Sequence, residues 1–148
     1  MAVEQNILVL TPVAPGTVLA PYALGLPRLV SELAPSVKVR ERNININRAR
    51  LQSIFVTKYF PKYEYVLLLD SDVVVSREAV NLLLKAWTPD TTPCACTKEG
   101  SGGHVVCSCA LVHRTDYEKV DYLSEMMQCQ CMKLPHPFYV DGAKGYEV

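Results

Sequence analysis

Five consecutive apolar residues, Tyr65-Val66-Leu67-Leu68-Leu69, run into Asp70-Ser71-Asp72 and then Val73-Val74-Val75. A run this short, with no alternation of apolar and polar side chains, reads as a central strand buried on both faces, the pattern of a parallel sheet covered by helices. Ser76 stands where it can cap a following helix, and Val80, Leu83, Leu84 and Trp87 then fall on one side of that helix. Strand, turn and helix follow one another without a gap, and they fix the class as α/β.

The rest of the chain is read against that unit. Residues 6–13 form a second nearly continuous apolar run, predicted as the first strand, with Pro12 marking its end. Residues 18–33 have apolar spacing compatible with a helix, interrupted by Pro21 and Pro27, and residues 37–42 read as a short polar strand. From Asn47, taken as an N-cap, Leu51, Ile54, Phe55 and Tyr59 place one apolar stripe on a helix that stops before Pro61. Residues 94–97 and 104–113 read as strands separated by the glycine-rich turn 100–103. Thr115-x-x-Glu118 has the form of a capping box opening another helix, and residues 137–140 read as a last strand ending at Asp141-Gly142. Together they predict a single domain over residues 1–148, with a mostly parallel central sheet and helices on both faces.

Composition narrows the function classes. The 148 residues are 49% apolar, which suits one packed domain and excludes a disordered tail. Fifteen basic residues balance fifteen acidic ones, so an affinity built on neutralising nucleic-acid phosphates is not expected, and the partner is predicted to be small. The opening Met1-Ala-Val-Glu-Gln-Asn6 lacks the basic stretch and long apolar run of a secretion signal. The longest mostly apolar window, 18–30, is broken by Pro21, Gly25, Pro27 and Arg28, so no transmembrane segment is expected and the protein is predicted to be cytoplasmic. Six cysteines form three Cys-x-Cys pairs, at 94/96, 107/109 and 129/131. Side chains at i and i+2 of a strand share a face, so the first two pairs can meet across neighbouring strands. Buried free thiols rank first for them, then one or two disulfides, then zinc. His104, His113 and His136 are isolated and read as structural.

Asp70 and Asp72 leave the central strand at the edge where open α/β sheets bind their ligands. Paired carboxylates are hard oxygen donors suited to Mg²⁺ or Mn²⁺, ions that keep some waters and take further ligands from a diphosphate. Two other readings stand beside this one. Asp70 can simply cap the turn while Asp72 is solvated. Alternatively, Asp70-Ser71-Asp72-Val73-Val74 after an apolar strand matches the motif of haloacid-dehalogenase-like phosphatases, in which the first Asp is a nucleophile and the second a general acid.

Several segments in order resemble the nucleotide-sugar glycosyltransferases of the Rossmann-like A-type fold, which carry a D-x-D motif. Asn47-Arg48-Ala49-Arg50-Leu51-x-x-Ile54-Phe55, followed by Tyr65 through Val73, looks like that family's Arg-bearing helix and metal strand. Cys107 through Arg114, with Tyr117-x-x-Val120, is similar to its strand on the acceptor side. Ser124-Glu125, before Phe138-Tyr139-Val140-Asp141, is similar to its acid-bearing helix and following strand.

The resemblance implies transfer of a sugar from a nucleotide-diphosphate donor to the hydroxyl of a glycan, lipid or protein acceptor, with Mn²⁺ or Mg²⁺ as cofactor. Asp72 would contact the metal, and Asp70 the metal, the ribose or both. Arg48 would pair with the base, ribose or diphosphate. Glu125 is the candidate base that takes the acceptor proton, with Asp116 and Asp121 behind it. A nucleotide-binding domain that keeps the D-x-D but lacks catalysis is the remaining alternative.

Overall fold

Every residue of the central apolar run is buried, and it forms strand β3, Tyr65–Leu69, as the sequence predicts. The computed structural model describes residues 6–13, 19–22, 24–32, 41–97, 107–124 and 130–148. Within these, the remaining elements are β1 (Ile7–Val13), β2 (Arg28–Glu32), α1 (Glu41–Ile54, continuing as a π-helical turn through Tyr59), β4 (Val73–Val75), α2 (Arg77–Ala86), β5 (Thr92–Cys96), β6 (Cys109–His113), a single turn of helix α3 (Arg114–Tyr117) and β7 (Pro137–Glu147). A one-turn 3-10 helix spans Gln130–Met132.

The strands form one seven-stranded sheet in the order β2-β1-β3-β6-β5-β7-β4. Pairings β1–β2, β1–β3 and β5–β7 are parallel, whereas β3–β6, β5–β6 and β4–β7 are antiparallel. The sheet is therefore mixed, and the expectation of a mostly parallel sheet is corrected. The physical reason lies in how β6 is covered. Burial on both faces is usually the mark of a parallel strand, but here the antiparallel β6 is sandwiched as thoroughly as its parallel neighbours, so its burial pattern carries no sign of its direction.

Alternation along the strands divides the core into two layers. Ile7, Val9, Tyr65, Leu67, Leu69, Cys109 and Leu111 face α2, packing on Ala79, Val80 and Leu83. Leu8, Leu10, Val66, Leu68, Ala110 and Val112 face the other way, onto Leu51 and Phe55 of α1 and onto Tyr117. Helices on both faces are thus observed, and the unbroken apolar runs are explained: odd and even positions each have a layer to enter. The α1 side is completed by edge-to-face contacts of Phe55 with Tyr117 and of Tyr117 with Tyr122. Gln52 Nε2 donates to the carbonyls of Tyr117 and Val120 at 2.8 and 2.6 Å, tying the segment after α3 beneath α1.

Other expectations change in the structure. No helix covers the described part of residues 18–33. Gly25 has φ +69°, Pro21 and Pro27 break any helical ladder, and the chain enters β2 at Arg28 after burying Leu24 and Leu26. Helix α1 begins at Glu41, so Asn47 is no N-cap; it is buried inside the helix, where its side-chain amide donates to the carbonyl of Val13 at 3.4 Å. Residues 37–40 of the proposed polar strand lie outside the described residues, while Glu41 and Arg42 are helical. Pro12 lies within β1 rather than at its end, beyond Leu10, where pairing with β3 stops. Ser76 caps α2 as expected, its hydroxyl accepting from Ala79 N–H at 3.1 Å. Thr115 does not cap α3; the ring of His113 does. Strand β7 runs past Asp141-Gly142 to Glu147, accommodating Gly142 at φ +80° where its register against β5 is broken.

Candidate functional site

Asp70 is the first residue after β3, and the backbone turns sharply there. Its carbonyl accepts from Val73 N–H at 3.2 Å, reversing the chain into β4, and its own N–H donates to the Ser108 carbonyl at 2.9 Å, just before β6. Ser71 is pinned as well, its carbonyl accepting from Ala20 N–H at 2.8 Å. The end of β7 reaches the same turn, where Val148 N–H donates to the Asp72 carbonyl at 2.8 Å. The acidic tripeptide is consequently fixed from three sides by backbone bonds, a rigidity suited to holding a ligand in place.

The Arg48 guanidinium lies against the Asp70 carboxylate at 3.8 Å and donates to Asn45 Oδ1 at 3.1 Å. Both Asp70 and Arg48 line a narrow crevice of about 10 Å³, room for roughly one water molecule, with Leu10, Pro12, Leu51, Leu68, Tyr117, Tyr122 and Gln130. Arg48 Nε is buried and has no hydrogen-bond acceptor among the described residues. Partial burial pushes the Asp70 carboxyl up to about 6, against the pull of Arg48; the charges of Asp72 and Glu147 add to the rise, and a hydrogen bond from Ser108 opposes it. The Asp70 side chain is one-third exposed, whereas Asp72 is exposed.

Tyr122 donates its hydroxyl to Gln130 Oε1 at 2.8 Å, and Gln130 Nε2 donates to the Cys107 carbonyl at 3.4 Å. Burial raises both Tyr117 and Tyr122 well above the ordinary phenol range, so both hydroxyls stay neutral. Nothing in the sequence singled out Asn45, Ser108, Tyr122 or Gln130. Their spacing follows no motif, and they come near Asp70 only because separate segments of the chain converge on the end of β3.

The structure brings Asp70, Asp72 and Arg48 to one place. Glu125 lies outside the described residues. Asp121 is engaged in a turn, its carboxylate accepting from the N–H groups of Leu123 and Ser124, and Asp116 sits on α3. His113 has a structural role as the cap of α3, its ring stacked on Trp87. Among the described residues, no three His, Cys, Asp or Glu side chains are grouped to hold an ion by themselves, and none of the five described cysteines is in a disulfide. No described helix is long and apolar enough to cross a membrane.

A mixed α/β sheet with helices on both faces and an acidic turn at the end of its central strand defines the class. No protein-family model and no curated protein matches the chain. Among solved structures it is similar to A197 from STIV, with a TM-score of 0.60 at 13% identity over 97% of this chain and 85% of that one. It is also similar to a glycosyltransferase involved in glycosylation of the major capsid of PBCV-1, with a TM-score of 0.55 at 13% identity over 96% of this chain and 92% of that one. The chain therefore shares the fold of these two structures.

Proposed function

We propose that this protein transfers a sugar from a nucleotide-diphosphate donor to an acceptor hydroxyl, in a metal-dependent reaction centred on Asp70 and Asp72. The observation that carries the reading is the placement of Asp70: a partly desolvated carboxyl at the end of the central strand, opposite a guanidinium, in a crevice. The fold shared with the glycosyltransferase structure supports it.

The donor set fits Mn²⁺ or Mg²⁺. Two carboxylates with the negative field of Glu147 behind them leave Asp70 short of positive charge, since Arg48 approaches only to 3.8 Å. Two protein carboxylates suffice for such an ion when water and substrate phosphates complete its shell. Asp70 and Asp72 would hold it, and when bound it would supply Lewis-acid stabilisation to the departing diphosphate. Arg48 orients Asp70 through their ion pair. Glu125 is proposed as the base that accepts the proton of the attacking acceptor hydroxyl.

Calorimetry with nucleoside diphosphates and Mn²⁺ tests the reading, comparing the wild type with Asp72→Ala. The substitution removes an exposed ligand and no core volume, so the fold should persist while Mn²⁺-dependent nucleotide affinity falls at least about tenfold. Unchanged affinity in Asp72→Ala would overturn the assignment. Incubation with nucleotide sugars separates the remaining classes: donor binding with no transfer points to a non-catalytic domain, and phosphate-ester hydrolysis that depends on Asp70 points to a phosphatase.

A further inference from the structure

The thiols of Cys94 and Cys107 lie 3.7 Å apart inside the layer between the sheet and α1, and both residues are buried. They belong to different segments. Cys94 sits on β5, where its backbone partner is Ala110, and Cys107 lies two residues before β6. Cys109 is no competitor, because it faces the opposite layer beside α2 and burial, with Asp70 adding, pushes its thiol up to about 12.

We propose that Cys94 and Cys107 are a reversible dithiol–disulfide pair whose oxidation loosens the backbone clasp on Asp70. The sulfurs need to close from 3.7 Å to about 2.05 Å. Cys94 is held in the middle of the sheet, so the movement falls mainly on Cys107. The next residue, Ser108, supplies the carbonyl that accepts the Asp70 N–H at 2.9 Å, and the Cys107 carbonyl accepts from Gln130. Drawing Cys107 towards β5 therefore acts on two hydrogen bonds at the wall of the crevice, and the bond to Asp70 is the shorter lever.

The oxidant class is a low-molecular-weight disulfide. The Cys107 thiolate attacks one of its sulfurs, forming a mixed disulfide and releasing one thiolate. The Cys94 thiolate then attacks the Cys107 sulfur and displaces the second thiolate. Two protein thiols are oxidised, one small disulfide is reduced to two thiols, and the two protons pass to those leaving thiols. Burial of both sulfurs makes the exchange slow, on the scale of hours.

The experiment treats the full chain with oxidised glutathione, blocks the remaining thiols by alkylation and maps the linked peptides by mass spectrometry. Exchange of the Asp70 amide is followed by NMR in both redox forms. The expected result is a Cys94–Cys107 linkage, reversed by dithiothreitol, with Asp70 amide exchange at least about fivefold faster in the oxidised form. Cys94→Ala and Cys107→Ala should each abolish the linkage and keep the Asp70 amide at its reduced rate in the presence of oxidant, with Trp87 fluorescence confirming that each variant is folded. Retention of both thiols at an oxidant level that fully converts dithiothreitol overturns the proposal. So does a stable glutathione adduct on Cys107, a linkage to another cysteine, or a linkage that leaves the Asp70 amide unchanged. None of these readouts depends on nucleotide binding, so the outcome is separate from that of the proposed sugar transfer.

Discussion

Asp70 concentrates the opposing forces of this protein in one carboxyl group. Burial and the neighbouring charges of Asp72 and Glu147 raise it to about 6, while Arg48 and Ser108 favour its ionised form. In the unfolded chain the same group titrates near the ordinary aspartate value of 3.8. Between these values the folded state holds a proton that the unfolded state has released. The stability of the metal-free protein should therefore fall as pH rises from about 4 to about 6 and level off above that. Denaturant titrations across this range, in the presence of a chelator, check the slope. Asp70→Asn should remove this contribution to the fall, because the amide does not titrate, and an unchanged slope in that variant would place the effect elsewhere.

At the scale of elements, α2 shows how local sequence and tertiary packing cooperate. Ser76 caps its first turn, Glu78 lies at the positive end of the helix dipole and Lys85 at the negative end. Ala79, Val80 and Leu83 then enter the core against β1, β3 and β6. Ser76→Ala should lower stability by about 1 kcal/mol, read as a shift in the denaturation midpoint, and Ser76→Asp should retain most of it because a carboxylate also accepts from the N–H of the first turn. The helix is recognisable from its own residues for that reason. The short helix α3 is the contrasting case. Its Thr115-x-x-Glu118 pattern matches a capping box, but the chain emerges from β6 already positioned so that His113 reaches the N–H of Thr115 at 3.3 Å. Trp87 and Tyr65 hold the His113 ring in that place, an arrangement no local pattern could announce.

Across the whole molecule, the sheet serves two cores at once, and β3 contributes to both. Leu67 is completely buried in the layer under α2, in the strand flanked by β1 and β6. Leu67→Ala should lower the unfolding free energy by about 2–5 kcal/mol, the range for truncating a buried leucine. Such a loss is a large share of the stability of a domain this size. Trp87 is the sole tryptophan and packs against Tyr65 at the start of the same strand, so its fluorescence follows the transition directly.

The sequence by itself determined β3, its acidic turn and α2, because an apolar pentad with aspartates behind it and a serine cap beyond them is stabilised by interactions within a few residues. It also determined that β1 is buried on both faces, since its apolar run leaves no side to water. Only the tertiary structure decided that β6 runs antiparallel, that residues 28–32 form a strand instead of the end of a helix, and that Arg48, Ser108 and Gln130 gather around Asp70. Strand direction and convergence of distant side chains depend on contacts between segments far apart in the chain. A burial pattern records that a residue is covered; it carries no information about which segment covers it or from which direction that segment arrives.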